Sequence, residues 1–147
     1  MIITQQYTEK DTFTNDEKKE IVQFLSKHLG KYGDPPLQIA EALDYALGTQ
    51  GKPGGYIITA RNNDEDLLGA VIVNKTGMGG YIPENILVYI ATDVAQRGKG
   101  IGKTLMKRAI QIADGDIALH CEPENPAMHL YTKLGFTSKY LEMRLKK

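Results

Sequence analysis

The segment that most limits how this chain can fold is Gln96-Arg97-Gly98-Lys99-Gly100-Ile101-Gly102-Lys103-Thr104. It follows Ile86-Leu87-Val88-Tyr89-Ile90-Ala91-Thr92, a run apolar on both faces, as in a central strand covered on both sides. It leads into Ile101, Leu105, Ala109 and Ile112 at helical spacing, with Met106, Ile110 and Ala113 beside them. Lys103, Lys107, Arg108 and Gln111 fall on the wet side, and Gly115 ends the helix. A glycine-rich turn from strand to helix lets backbone N–H groups approach an anion closely, and the helix N-terminus adds partial positive charge. Lys99 and Lys103 strengthen the attraction. The physics specifies a phosphate or pyrophosphate without saying whose.

The elements around this turn read as β-α-α-β-β-β-α-β-α-β. Ile2 to Tyr7 is a short strand, and Thr14 with Glu17 has capping-box spacing ahead of Ile21, Phe24, Leu25, His28 and Leu29. Asp34-Pro35-Pro36 opens a second helix whose stripe is Ile39, Leu43, Ala46 and Leu47. Strands follow at Tyr56 to Arg61 and Leu67 to Lys75, then a glycine-rich connection from Thr76 to Asn85. After the long helix come a strand from Ile117 to Glu122, a helix capped by Asn125-Pro126, and a closing strand from Phe136 to Leu145. No repeat or long linker divides the chain, so residues 1–147 form one domain.

Lys plus Arg and Asp plus Glu are 18 each, which gives no net field to hold a nucleic-acid backbone. No apolar stretch approaches the roughly 20 residues that span a bilayer, and the first residues lack the pattern of a signal peptide. Cys121 is the only cysteine, so no intrachain disulfide forms. A soluble protein of the reducing cytoplasm is expected, with neither nucleic acid nor membrane as partner.

Two nucleotide motifs resemble the turn and fail on its residues. A P-loop ending Gly102-Lys103-Thr104 needs glycine at position 97, where Arg97 stands. The dinucleotide pattern G-x-G-x-x-G requires glycine at Lys103 or Leu105. Arg97, Gly100 and Gly102 do match R/Q-x-x-G-x-G/A, and Leu130-Tyr131-Thr132-Lys133-Leu134-Gly135-Phe136 matches L-Y-x-K-L-G-F. The two motifs, about 30 residues apart with a helix and a strand between them, resemble the landmarks of the GNAT superfamily of N-acetyltransferases. The likeness in element order covers essentially the whole chain.

That resemblance implies an α/β (α+β) fold with a mixed, mostly antiparallel sheet, a splayed central pair of parallel strands, and helices on both faces. It implies acetyl-CoA as co-substrate, no metal, and a primary amine on a small molecule or peptide as acceptor. By match, Arg97, Gly98, Lys99, Gly100, Ile101, Gly102 and Lys103 hold the pyrophosphate, while the strand edge at Ile90, Ala91 and Thr92 pairs with pantetheine. Tyr131 matches the tyrosine often assigned as general acid toward the leaving thiolate; otherwise it fills the core beside Leu130 and Leu134. His120 and Glu84 are the two candidate bases, with a water relay as the alternative. Asn125 reads either as a cofactor contact or as a helix cap, and Cys121 as a buried small hydrophobe. Tyr32, in the flexible segment Gly30 to Asp34, falls where relatives receive the acceptor. The residues after Phe136 leave little chain for a lid, so the acceptor side is open, or closed by Thr76 to Asn85 or by the second subunit of a homodimer. A CoA-binding sensor or scaffold without catalysis is the alternative to the enzyme, and a thiol-release assay separates them.

Overall fold

The computed structural model describes residues 1–147. Its elements are β1 (Ile3–Thr8), α1 (Asn15–Leu29), α2 (Pro36–Ala46), β2 (Gly55–Arg61), β3 (Leu67–Lys75), β4 (Asn85–Thr92), α3 (Ile101–Ile112), β5 (Ile117–Leu119) and α4 (Met128–Lys133). The sheet runs β1-β2-β3-β4-β5, antiparallel except for the parallel pair β4–β5. This is the mixed sheet with a parallel pair that the sequence leads one to expect.

Local chemistry explains where α1 begins. Thr14 accepts from the Glu17 N–H at 3.1 Å while the Glu17 carboxylate accepts from the Thr14 N–H at 3.0 Å, a complete capping box that starts α1. The expected Asp34 cap is corrected: Pro35 holds the cap position of α2 with no side-chain bond. The Asp34 carboxylate accepts from the Tyr89 hydroxyl instead, at 2.5 Å.

β2 and β3 are buried on both faces, so the core has two halves. On one face Ile21, Leu25, Ile39 and Leu43 of α1 and α2 pack on Ile57 and Ile72. On the other, Leu105, Met106 and Tyr131 pack on Ile58, Val71 and Val73. Each fully buried Ile or Leu contributes roughly 1.5–3 kcal/mol. Gly69 sets the height of α3 over the sheet, because a Cβ there would lie 2.7 Å from Leu105 Cδ1 and 3.0 Å from Ile101 Cγ2.

The C-terminal third departs from expectation. β5 ends at Leu119 rather than Glu122, and α4 spans only Met128–Lys133. The expected Asn125 cap is corrected too: Ala127 holds the cap position of α4 with no side-chain bond, and the Asn125 Oδ1 accepts from the Ala127 N–H at 2.9 Å in the turn ahead of the helix. No strand forms from Phe136 to Leu145, although its residues alternate as a strand's do. Tyr140, Leu141, Met143 and Leu145 stand 80–90% exposed. An extended segment has no hydrogen bonds of its own, so alternation without a neighbouring edge makes no strand.

Candidate active site

The site is a split in the sheet. β5 pairs with β4 only at Asn85, Ile86 and Leu87. The side chain of Asn85 fixes that closed end, donating to the carbonyls of Asp114 at 2.8 Å and Asp116 at 3.1 Å. Beyond Leu87 the register with β3 skips Val88, which leaves a β-bulge in β4 where the split opens. Asp93 donates its N–H to Leu68 of β3 at 2.8 Å. The two-residue alternation of an antiparallel ladder therefore turns the N–H and C=O of Ile90 and Thr92 toward the open edge, and those of Ala91 toward β3.

At the mouth, Val94 to Gln96 makes a turn of 3-10 helix, followed by the glycine segment and α3. Gly98 (φ 82°) and Gly100 (φ 79°) adopt the left-handed conformation that other residues rarely hold. Thr104 donates to the Gly100 carbonyl at 3.0 Å, the first bond of α3. The N–H groups of residues 98–103 find no acceptor in the protein. They form a backbone cradle at the positive end of the helix, with the chemistry an anion requires.

The side chains of this segment divide. Arg97 donates to the His28 carbonyl of α1 at 3.2 Å, so its guanidinium is partly committed to the fold. Lys99 donates to Gln96 at 2.9 Å. Lys103 lines a cleft of about 530 Å³ between α3 and α4, with Lys107, His129 and Lys133 around it and no carboxylate. Gly102 sits between Thr92 and Leu130, which a Cβ would meet at 3.6 and 3.5 Å.

His28 escaped the sequence reading, where it counted only as part of an apolar stripe. It is buried, and its Nδ1 accepts from the Val94 N–H at 3.2 Å. Together with the Arg97 bond, this ties the entry of the glycine segment to α1. Burial holds its pKa below the ordinary value for histidine, against a smaller upward pull from Asp93. A polar ring at a core position of a helix was the available signal. The Val88 bulge and the Asp34–Tyr89 bond left no mark in the sequence.

The remaining candidates are scattered around the split. Tyr131 is 8% exposed and packs edge-on to Phe136 with ring centroids 6.0 Å apart. Burial pushes its hydroxyl up to about 12, with a further contribution from Cys121 beside it. Ile117, Leu119 and Cys121 do face that apolar cluster, and His120 is exposed just past β5. Burial likewise raises the pKa of Cys121. Glu84 is not brought to the open end. It precedes the paired end of β4, roughly 20 Å of strand from Ile90, and accepts from the Asp116 N–H at 3.0 Å, which lowers its pKa. Tyr32 reaches from the α1–α2 connection to the Glu124 carbonyl at 3.5 Å, across the mouth. No three His, Cys, Asp or Glu side chains group as a metal site would need. No helix is long and apolar enough to cross a membrane.

With this geometry established, comparison with known proteins gives its class. The family model described as "Acetyltransferase (GNAT) family" matches residues 19–136. The chain belongs to that family, and acetyl transfer is its class of reaction. No curated protein matches the sequence significantly. Among solved structures, it is similar to a transcriptional regulator from Bacillus halodurans C-125 (20% identity, 100% of both chains, TM-score 0.70). It is also similar to a ribosomal-protein-alanine N-acetyltransferase from Brucella melitensis biovar Abortus 2308 (15% identity, 100% of this chain and 99% of that one, TM-score 0.66). A candidate acetyl transferase from Pyrococcus furiosus shares 21% identity over all of both chains, with a TM-score of 0.65. At these identities the likeness establishes the fold.

Proposed function

We propose that this protein transfers an acetyl group from acetyl-CoA to a primary amine by direct attack, with both substrates bound together. The observation that carries the reading is the run of unpartnered N–H groups at residues 98–103, opening onto a strand edge that no other strand occupies. Coenzyme A has a part to suit each feature. Its pyrophosphate fits the cradle formed by Gly98, Lys99, Gly100, Ile101, Gly102 and Lys103. Its amide-bearing arm fits the edge at Ile90, Ala91 and Thr92, as an added strand would. The basic cleft of Lys103, Lys107, His129 and Lys133 suits the phosphate at its nucleotide end. When bound, it supplies the acetyl group as a reactive thioester.

The protein's own groups would then place and stabilise. The Ile90 N–H points into the split, where it can donate to an oxygen that gains charge. Tyr131, like any tyrosine, holds its proton at neutral pH, and burial pushes its hydroxyl further up, to about 12. A free thiol lies near 8.5, so Tyr131 contributes a hydrogen bond to the departing sulfur more than a completed proton transfer. His120, exposed at the end of β5, is the titratable side chain best placed to take the proton of the amine. Glu84 is set aside as base by its distance from the opening. Asn125 holds the turn ahead of α4, and Tyr32 with the α1–α2 connection borders the acceptor's entrance.

The test is ligand stabilisation followed by turnover. CoA at about a hundred times its dissociation constant should add roughly 2.7 kcal/mol, a melting shift of several degrees. ATP and NAD should give none. Reversing Lys99→Glu and Lys103→Glu together should remove most of the shift. A panel of primary amines with acetyl-CoA, followed by free thiol, then identifies the acceptor. Equal stabilisation by ATP, or none by CoA, would overturn the reading; binding without turnover on any amine would favour a CoA-responsive scaffold.

A further inference from the structure

The basic cleft suited to the nucleotide end of coenzyme A lies between α3 and α4, on one face of the sheet. At the split, successive residues of β4 send their side chains to opposite faces. Ile90 packs with the cluster under α3 and α4, and Tyr89 with the cluster under α1 and α2. A second substrate that meets the thioester at the Ile90 N–H, while coenzyme A fills the first face, has the second face to enter by. Tyr89 stands on that second face, next to the N–H in the chain.

Tyr89 is 8% exposed, yet its hydroxyl donates to Oδ2 of Asp34, in the α1–α2 connection, at 2.5 Å. Burial first, and then Asp34, raise the pKa of that hydroxyl, so it remains the donor. Helix capping does not account for Asp34, since Pro35 takes the cap of α2. The Asp34 side chain is exposed, and none of the chain's ion pairs involves it. Lys31 of the same connection lies over the Tyr32 ring, its Nζ 5.1 Å from the centroid. Asp34 is thus an unpaired surface carboxylate whose direction is fixed by a buried phenol, so less freedom is lost when it takes a partner. A tyrosine side chain standing off the sheet and one hydrogen bond separate it from the backbone of β4. That interval is too long for the carboxylate to touch an amine attacking beside the Ile90 N–H. It suits a charge several bonds further along the same molecule.

We propose that Asp34, oriented by Tyr89, binds a second cationic group on the acceptor, so that the amine acetylated best belongs to a diamine or a similarly dicationic molecule. This rests on the acetyl-transfer reading above and narrows its acceptor. A single carboxylate of fixed direction selects by charge and by length. The reacting amine sits at the Ile90 N–H as its free base, and the second ammonium, a few methylenes away, donates to the remaining lone pairs of Asp34. An uncharged end of the same length forfeits the charged contact. Asp34 is a specificity residue, and Tyr89 a positioning residue that acts through it.

Initial rates with acetyl-CoA test it on butanediamine, pentanediamine, aminobutanol and butylamine, read as free thiol. A diamine should exceed butylamine in kcat/KM by roughly tenfold or more, chiefly through KM, and aminobutanol should resemble butylamine. Asp34→Asn should bring the ratio of diamine to butylamine close to one, and Tyr89→Phe, which keeps the ring, should lower it a few-fold. Asp34→Glu, whose carboxylate reaches further by a methylene, should move the preference toward the shorter diamine. The melting shift given by CoA checks that each variant is folded with its cofactor face intact. A ratio near one in the unaltered chain, or a ratio that survives Asp34→Asn, overturns the proposal and leaves acetyl transfer standing. A CoA shift without turnover of any of these amines overturns it as well. No CoA shift in the unaltered chain overturns the acetyl-transfer reading, and this one with it.

Discussion

β4 is bonded to β3 along most of Asn85–Thr92, whereas β5, the opposite wall of the split, is paired over only Ile117–Leu119 and half-buried throughout. Along β4, alternate residues are buried, and Leu87, Tyr89 and Ala91 reach into both halves of the core. The difference separates two tasks. The β4 wall presents backbone groups of fixed direction at Ile90 and Thr92, and rigidity there is what aims them. The β5 wall holds side chains, His120, Cys121 and, through α4, Tyr131, whose placement depends on a short and weakly anchored strand.

Leu87 and Leu119 face each other across the same rung and offer the largest expected contrast. Leu87→Ala empties a fully packed position and should cost about 2–5 kcal/mol. Leu119→Ala, half-exposed already, should cost under about half of that. Urea denaturation of both variants measures it, and equal losses would erase the distinction between the walls.

Tyr131→Phe comes next, because it removes a hydroxyl and leaves the ring packed. The kcat is expected to fall roughly tenfold to a thousandfold with acetyl-CoA KM changed only a few-fold. Thermal melts should hardly move. Unaltered kcat would reduce Tyr131 to core packing and leave His120 as the one catalytic side chain proposed for the β5 wall.

The smallest effect belongs to the β4 side, through His28. Its folded pKa is lowered, so neutral His28 contributes stability that is present above its ordinary value of 6.5 and is lost as pH falls through the lower folded value. Protonation also removes the lone pair that accepts the Val94 N–H. Melting temperature and CoA affinity should therefore decline together on acidification below about 6.5, and His28→Gln should flatten that slope. An unchanged slope in the variant would detach His28 from the cradle.

The cradle and most of the element order were legible in the chain, because their causes are local. Positive φ at Gly98 and Gly100, the helical period from Ile101 to Ile112, and the Thr14–Glu17 box each depend on residues close in sequence. The chain also named Tyr131 and the edge at Ile90 to Thr92, but only by resemblance. Tertiary structure alone decided where β5 leaves β4, that Val88 bulges, that Asp34 turns to Tyr89 and not to the cap of α2, and that Glu84 stands at the closed end. It likewise decided that an alternating C-terminal segment stays without a partner in its own chain. Hydrogen-bond pairing between distant segments sets each of these outcomes, and a strand pattern states which face is apolar without stating which edge it will meet.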